Sequence, residues 1–254
     1  MNVLICNDDG IDSIGLKKLC EEFAKVADVY VVAPEGERSS YSHHLTIVGK
    51  VRYEERTLPY TKKAFALWGS PADCAYLGMN ILIDEKIDLV VSGINEGCNV
   101  STDIVYSGTI AAARQAYIEG VPSLALSLNN VVNGYYENAA YYGRVIAEEY
   151  LKREDRHEFF LNINVPDLKL EEIKGIKICD HEAMLYYDNN LSLEKEDGID
   201  YVKINECVIT TDSDPEDMAE DFAAVNAGYV TVSPIYNDHF HHEKVKALKE
   251  WLEK

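Results

Sequence analysis

The chain opens with a short apolar run, Asn2-Val3-Leu4-Ile5-Cys6, that stops abruptly at Asn7-Asp8-Asp9-Gly10. An apolar, partly β-branched run of this length bounded by turn formers reads as a buried strand of a parallel sheet. In open α/β sheets, ligands bind in the crevice outside the carboxyl ends of the strands. Two neighbouring carboxylates at such an end repel each other, and both stay ionised only when a cation lies close by. Oxygen donors favour a hard cation such as Mg2+, Ca2+ or Mn2+. A plain turn is the competing reading, because Asn, Asp and Gly are common turn residues. The tetrapeptide alone does not choose between them.

The rest of the first 165 residues alternates strand and helix patterns. Strands are predicted at 2–6, 28–32, 87–91, 122–126 and 159–163. Helical spacing appears in Leu16, Leu19, Cys20 and Phe23, in Tyr76 to Ile81 after Pro71, in Ile110 to Tyr117 and in Tyr141 to Leu151. Such alternation predicts a doubly wound, mostly parallel sheet with helices on both faces. Leu45 to Tyr53 and Ala64 to Trp68 read as a strand pair inserted into that layer. After Pro166 short strands (176–179, 199–204, 229–232) alternate with acidic loops, and Glu243 to Trp251 reads as an amphipathic terminal helix. The expectation is a single α/β domain over 1–254, with a core of about 1–165 and an appendage over about 166–254.

With 254 residues, 47% of them hydrophobic and 27% charged, the chain has an ordinary globular composition. No apolar run approaches the roughly 20 residues that cross a bilayer, and the first residues carry no secretory leader pattern. Six cysteines are scattered without a CxxC pair, as in a cytoplasmic protein rather than a disulfide scaffold. A net charge of -20 argues against a nucleic-acid duplex or an anionic membrane as partner. Much of the charge lies between Glu182 and Asp221, where 13 acidic residues face only Lys195 and Lys203. That run reads as a solvated, strand-poor stretch.

Four polar clusters follow strands or open helices: Asn7-Asp8-Asp9-Gly10, Arg38-Ser39-Ser40-Tyr41-Ser42, Ser92-Gly93-Ile94-Asn95-Glu96-Gly97 and Tyr106-Ser107-Gly108-Thr109. In a parallel sheet these loops share one rim, so Asp8, Asp9, Ser39 and Asn95 are expected to converge. Together they offer two carboxylates, a hydroxyl and an amide oxygen to a hard metal. Ser107, Gly108 and Thr109 open an Ala-rich helix, where exposed N–H groups suit a phosphate. A simple helix cap is the plainer reading of the same residues. His43 and His44 are candidates for general acid, weighed against an exposed rim pair. His239, His241 and His242 read as a loop before the last helix, and Trp68 as a packing residue.

These blocks, with Gly69-Ser70-Pro71-Ala72-Asp73-Cys74 and Asn99, resemble the signature blocks of the SurE family of metal-dependent 5'/3'-nucleotidases. A weaker echo follows in Asp221 to Gly228 and in Tyr229 to Pro234. The resemblance implies one divalent ion, Mg2+ or Mn2+, held by Asp8, Asp9, Ser39 and Asn95. It implies hydrolysis of nucleoside monophosphates, and sometimes of short polyphosphate. The chemistry of phosphoryl transfer then makes Asp8 and Asp9 the catalytic candidates, with either of the two orienting the attacking water. Asn95, Ser107, Gly108 and Thr109 then bind the substrate phosphate. The resemblance further implies an extended hairpin and a C-terminal arm that builds homodimers or homotetramers.

The chain departs from the family pattern at several positions. Ser40 and Ser101 stand where Gly is usual, Ser70 stands where Thr is usual, and Tyr41, His43 and His44 crowd Ser42. Two rival readings remain: a receiver-like module and a non-catalytic metal or nucleotide binder. Asn95, where a receiver needs a phosphoacceptor Asp, speaks against the first, and the intact ligand set speaks against the second.

Overall fold

The computed structural model describes residues 1–254 apart from 130, 131, 133, 181–183, 213, 237–241 and 254, and the side chains of 189, 206–209, 242, 243 and 247. Nine strands form one sheet in the order β3-β4-β2-β1-β5-β6-β7-β11-β8. They are β1 (Asn2–Cys6), β2 (Asp28–Pro34), β3 (Tyr53–Arg56), β4 (Lys63–Leu67), β5 (Leu89–Glu96), β6 (Ser123–Asn129), β7 (Phe160–Pro166), β8 (Ile176–Ile178) and β11 (Val230–Ile235). β1, β2, β4, β5, β6 and β7 run parallel, while β3 and β11 pair antiparallel to β4 and β7. The strand order reverses between β1 and β5, which is where an open α/β sheet leaves its binding crevice.

Helices cover both faces, as the alternation predicts. α1 (Ile14–Phe23) and α5 (Tyr136–Tyr150) pack on one face over Val3, Ile5, Val31, Val91 and Leu126. α2 (Pro71–Leu77) and α4 (Gly108–Ile118) cover the other, over Leu4, Val32 and Val90. Each of these fully buried aliphatic side chains contributes about 1.5–3 kcal/mol relative to exposure. The run Ala111-Ala112-Ala113, with Ala116, is wholly buried, and its small side chains let α4 lie close to the sheet. Side-chain caps start the helices: Ser13 accepts from the Leu16 N–H, Ser70 and Asp73 form a reciprocal box around Pro71, and Ser107 accepts from the Ile110 N–H.

Two local expectations are corrected. The inserted pair is β3 with β4, and Leu45 to Val51 is irregular rather than a strand. Its Thr46 donates through its N–H and hydroxyl to Asp73, and the Ser70 hydroxyl donates to the His44 carbonyl. The segment is thereby fastened to the start of α2, with Ile47 and Val48 left exposed. The acidic stretch is not strand-poor. β9 (Leu185–Glu196) and β10 (Ile199–Thr211) form a long antiparallel hairpin outside the main sheet. Its turn is Asp197-Gly198 with φ of 50° and 83°, and an Asp-Gly pair with both φ positive matches the twist of two joined strands. Two short helices, α3 (Asp103–Tyr106) and α6 (Asp221–Asn226), the terminal α7 (His242–Leu252), a π-helical segment (Gly78–Leu82) that continues α2 and a 3-10 turn (Leu170–Glu172) are the remaining elements described.

Candidate metal and phosphate site

β1 ends against the loop that caps α1. The Asn7 side chain donates to the Gly10 carbonyl and to the Ser13 hydroxyl, both at 2.9 Å. That loop aims Asp8 at the start of α4. The Thr109 hydroxyl donates to Asp8 Oδ1 at 2.5 Å, and the Thr109 N–H donates to Oδ2 at 3.2 Å. Gly108 permits the approach, since a Cβ there would stand 2.9 Å from both Asp8 Cβ and Oδ2. The anion at this helix N-terminus is therefore Asp8 itself, favoured by the N–H groups and the dipole. The Arg38 N–H donates to the Asp8 carbonyl at 2.7 Å, and Ser42 bonds the carbonyls of Tyr106 and Val105. The loop after β2 is thus fastened to both of the other strand-end loops.

A register slip between β5 and β6 falls between Gly93 and Asn95. Such a bulge re-aims the side chains beyond it. Ile94 is sealed in the core, while Asn95 reaches the rim. The Asn95 Nδ2 donates to the Gly97 carbonyl at 2.7 Å, which leaves its Oδ1 facing Thr109 Oγ1 at 3.3 Å. Ser39 is exposed on the rim, and its hydroxyl donates to Glu37 at 2.9 Å.

Asp8, Ser39, Asn95 and Ser107 line one cavity of about 480 Å³. Asp9 lines an adjoining cavity of about 510 Å³, with Ser39 and Glu96 on the wall between the two. Thr109 is fully buried behind Asp8, and its hydroxyl is committed to that carboxylate rather than to the cavity. His43 bonds Gln115 on α4 at 3.0 Å, and neither it nor His44 lines these two cavities. Trp68 carries the Arg52 guanidinium 3.9 Å above its ring. His239 and His241 lie outside the described residues, and of His242 only its place in α7 is described.

The electrostatics at this rim are one-sided. Burial pushes Asp8 up from the ordinary carboxylate value, with the Thr109 hydrogen bond acting against it. Asp9 is pushed up to about 7, first by burial and then by the charge of Asp8, with Glu96 and Glu37 adding to it. Among the described residues neither carboxylate has a basic side chain as ion-pair partner, and no three His, Cys, Asp or Glu side chains form a metal cage. A cation seated here would have two carboxylates and neutral oxygens as donors. Two such carboxylates fit a hard divalent ion, because its charge offsets the burial that raises both and the repulsion by Asp8 that adds to it at Asp9.

Further residues complete the cavity wall. Asp103 is pushed up to about 6 by burial and by Asp221. The buried Asn99 is fixed by two strand residues the sequence reading passed over. Its N–H donates to Asn164 Oδ1 at 2.8 Å, and its carbonyl accepts from Asn162 and Asn164. The readable signal is two Asn at alternate positions within the apolar run of β7, where every buried amide needs partners.

A doubly wound sheet with paired acidic residues beside a cavity at its switch point defines an α/β protein with a candidate binding crevice at that rim. The sequence profile described as "Survival protein SurE" matches residues 3–188. The chain is 35% identical over 255 residues to a Syntrophus aciditrophicus protein named 5'-nucleotidase SurE, covering 100% of this chain and 95% of that one. It is 38% identical over 253 residues to a Cronobacter sakazakii protein named 5'/3'-nucleotidase SurE, covering 99% and 96%. The crystal structure of SurE protein from Aquifex aeolicus superposes with a TM-score of 0.82 at 32% identity, covering 100% of both chains. The chain belongs to the SurE family.

Proposed function

We propose that this chain is a divalent-metal-dependent phosphomonoesterase that hydrolyses nucleoside 5'- and/or 3'-monophosphates, with short polyphosphate as a second substrate class. The observation that carries the reading is the pair Asp8 and Asp9 at the switch point, beside the N-terminus of α4 and with no basic ion-pair partner among the described residues. The names of the full-length relatives point the same way.

In this reading Asp8, Asp9, Ser39 and Asn95 hold one Mg2+ or Mn2+ ion. When bound, the ion supplies Lewis acidity toward a phosphate oxygen and a more acidic water. Phosphoryl transfer asks the protein mainly for positioning and charge neutralisation. Thr109 keeps Asp8 oriented and favours its ionised form. Asn95 and Ser107, both on the cavity wall, receive the phosphate; Gly108 and Thr109, expected to join them, are taken up by Asp8. Asp9, less enclosed than Asp8, accepts the proton of the attacking water.

We take the chain as one SurE-like α/β domain, with a core of about residues 1–165 and an appendage and arm over about 166–254. A homodimer or homotetramer is proposed through the hairpin and terminal helix. Leu191, Leu193, Val202 and Ile204 on the hairpin and Leu248 and Trp251 on α7 are exposed, as an interaction surface requires. Among the described residues no helix is long and apolar enough to cross a membrane. The five cysteines with described side chains are free thiols, which supports a cytoplasmic setting.

The test is phosphate release from 5'- and 3'-nucleoside monophosphates and tripolyphosphate, with Mg2+, with Mn2+ and with EDTA. Metal-dependent release abolished by EDTA is expected. A folded protein that releases nothing with either metal would refute the reading.

A further inference from the structure

Tyr187 stands on β9 two residues beyond Leu185, and Leu185 is clamped to the wall of the cavity. Its side chain is buried with Val100 and Val225. Its N–H donates to the Thr102 hydroxyl at 2.8 Å, and that hydroxyl donates to the Leu185 carbonyl at 3.1 Å. Side chains two apart on a strand share a face. The clamp that buries Leu185 therefore turns Tyr187 toward the same loop. Its neighbour Tyr186 is held elsewhere, its hydroxyl donating to Asp212 at 3.3 Å.

The Tyr187 ring meets that of Tyr106 with centroids 6.4 Å apart and planes at 82°. Both rings line the 480 Å³ cavity that holds Asp8, Asn95 and Ser107. They remain 39% and 51% exposed, so ring faces are open to a ligand. Tyr106 directly precedes Ser107, which places this aromatic corner beside the phosphate end of the cavity. A right-angled corner takes a flat heterocycle against one ring with its edge toward the other. The remaining wall carries Asp103 and Glu96, which disfavour further phosphates and suit an uncharged group.

We propose that Tyr187, with Tyr106, stacks the nucleobase of the substrate and sets a preference for nucleotides over base-free phosphomonoesters; this rests on the nucleotidase reading above. Stacking on an aromatic side chain tolerates every base, because each has a π face. The hairpin thereby contributes to substrate selection from outside the main sheet.

The experiment compares kcat/KM for adenosine 5'-monophosphate and for ribose 5-phosphate in the parent, Tyr187→Ala and Tyr187→Phe, with Mg2+ or Mn2+ present. Circular dichroism checks that each variant is folded. The ratio of the two kcat/KM values should fall roughly tenfold in Tyr187→Ala, equal to about 1.4 kcal/mol. The loss should lie mainly in KM for the nucleotide, and Tyr187→Phe should restore it. An unchanged ratio in Tyr187→Ala, with an active parent, overturns the stacking role alone. A parent without metal-dependent release from either compound refutes the nucleotidase reading, and the stacking role falls with it.

Discussion

The Thr109 hydroxyl donates to Asp8 Oδ1 at 2.5 Å, although the two residues stand 101 positions apart in the chain. This bond joins the end of β1 to the start of α4 and holds the most buried carboxylate of the site. A hydrogen bond to a charged group contributes about 1.5–3 kcal/mol. Thr109→Val keeps the shape and removes the donor, so it should lower stability by about that amount and sharply reduce phosphate release. Thr109→Ser should retain most of both. Urea unfolding with parallel activity assays checks this, and a Val variant matching the parent would remove Thr109 from the account.

Burial, and then the charge of Asp8, push Asp9 up to about 7, against an ordinary value of 3.8. A folded-state value above the unfolded one means that the native state holds more protons between the two. Stability from this group is therefore complete below about 4 and is lost as pH rises toward 7. A divalent cation reverses the trend, because it binds the ionised form and competes with protons. Mn2+ should accordingly raise the melting temperature more at pH 8 than at pH 6, and EDTA should abolish the difference. Equal shifts at both pH values would contradict the assignment of Asp9 to the ion.

Asn164 supplies both the acceptor for the Asn99 N–H and a donor to the Asn99 carbonyl. Asn164→Leu leaves that buried N–H without its partner, at a cost of about 1–3 kcal/mol. The cavity wall at Asn99 should loosen, so KM should rise as the denaturation midpoint falls. A midpoint within experimental error of the parent would show that another group replaces the bond.

Ser40 lies at φ 61° and Ser101 at φ 50°. Both are positions where the sequence resemblance leads one to expect Gly, and both fall on backbone of the left-handed kind. A non-glycine residue there costs of order 1 kcal/mol. Ser40→Gly should raise stability by about 1 kcal/mol, roughly 2–4 °C in a domain of this size. Calorimetry decides it, and an unchanged or lower melting temperature would show that the added chain freedom of Gly outweighs the relief.

The strand-helix alternation made the doubly wound sheet legible, because buried parallel strands read as short apolar runs and their helices as 3.6-residue patterns. The strand-end loops carrying Asp8, Ser39, Asn95 and Ser107 were legible for the same reason: topology alone sends them to one rim. Two features needed coordinates. The slip at Gly93 to Asn95 decides which side chain of β5 turns inward, and periodicity does not reveal a bulge. Leu45 to Val51 looks like a strand locally, yet its Thr46 is captured by Asp73 of α2. The hairpin was readable from Asp197-Gly198 and was hidden by the acidic composition around it. Nothing in the spacing announced that Thr109 would serve Asp8, since four strands and three α-helices lie between β1 and α4 in the chain.

The most direct test of the central claim is calorimetric titration of Mn2+ into the parent and Asp9→Asn, with phosphate release from a nucleoside monophosphate read on the same samples. The account predicts one site per subunit in the parent, much weaker binding in the variant, and a fall in rate of several orders of magnitude with the fold intact. An Asp9→Asn protein that binds Mn2+ and turns over like the parent would contradict it.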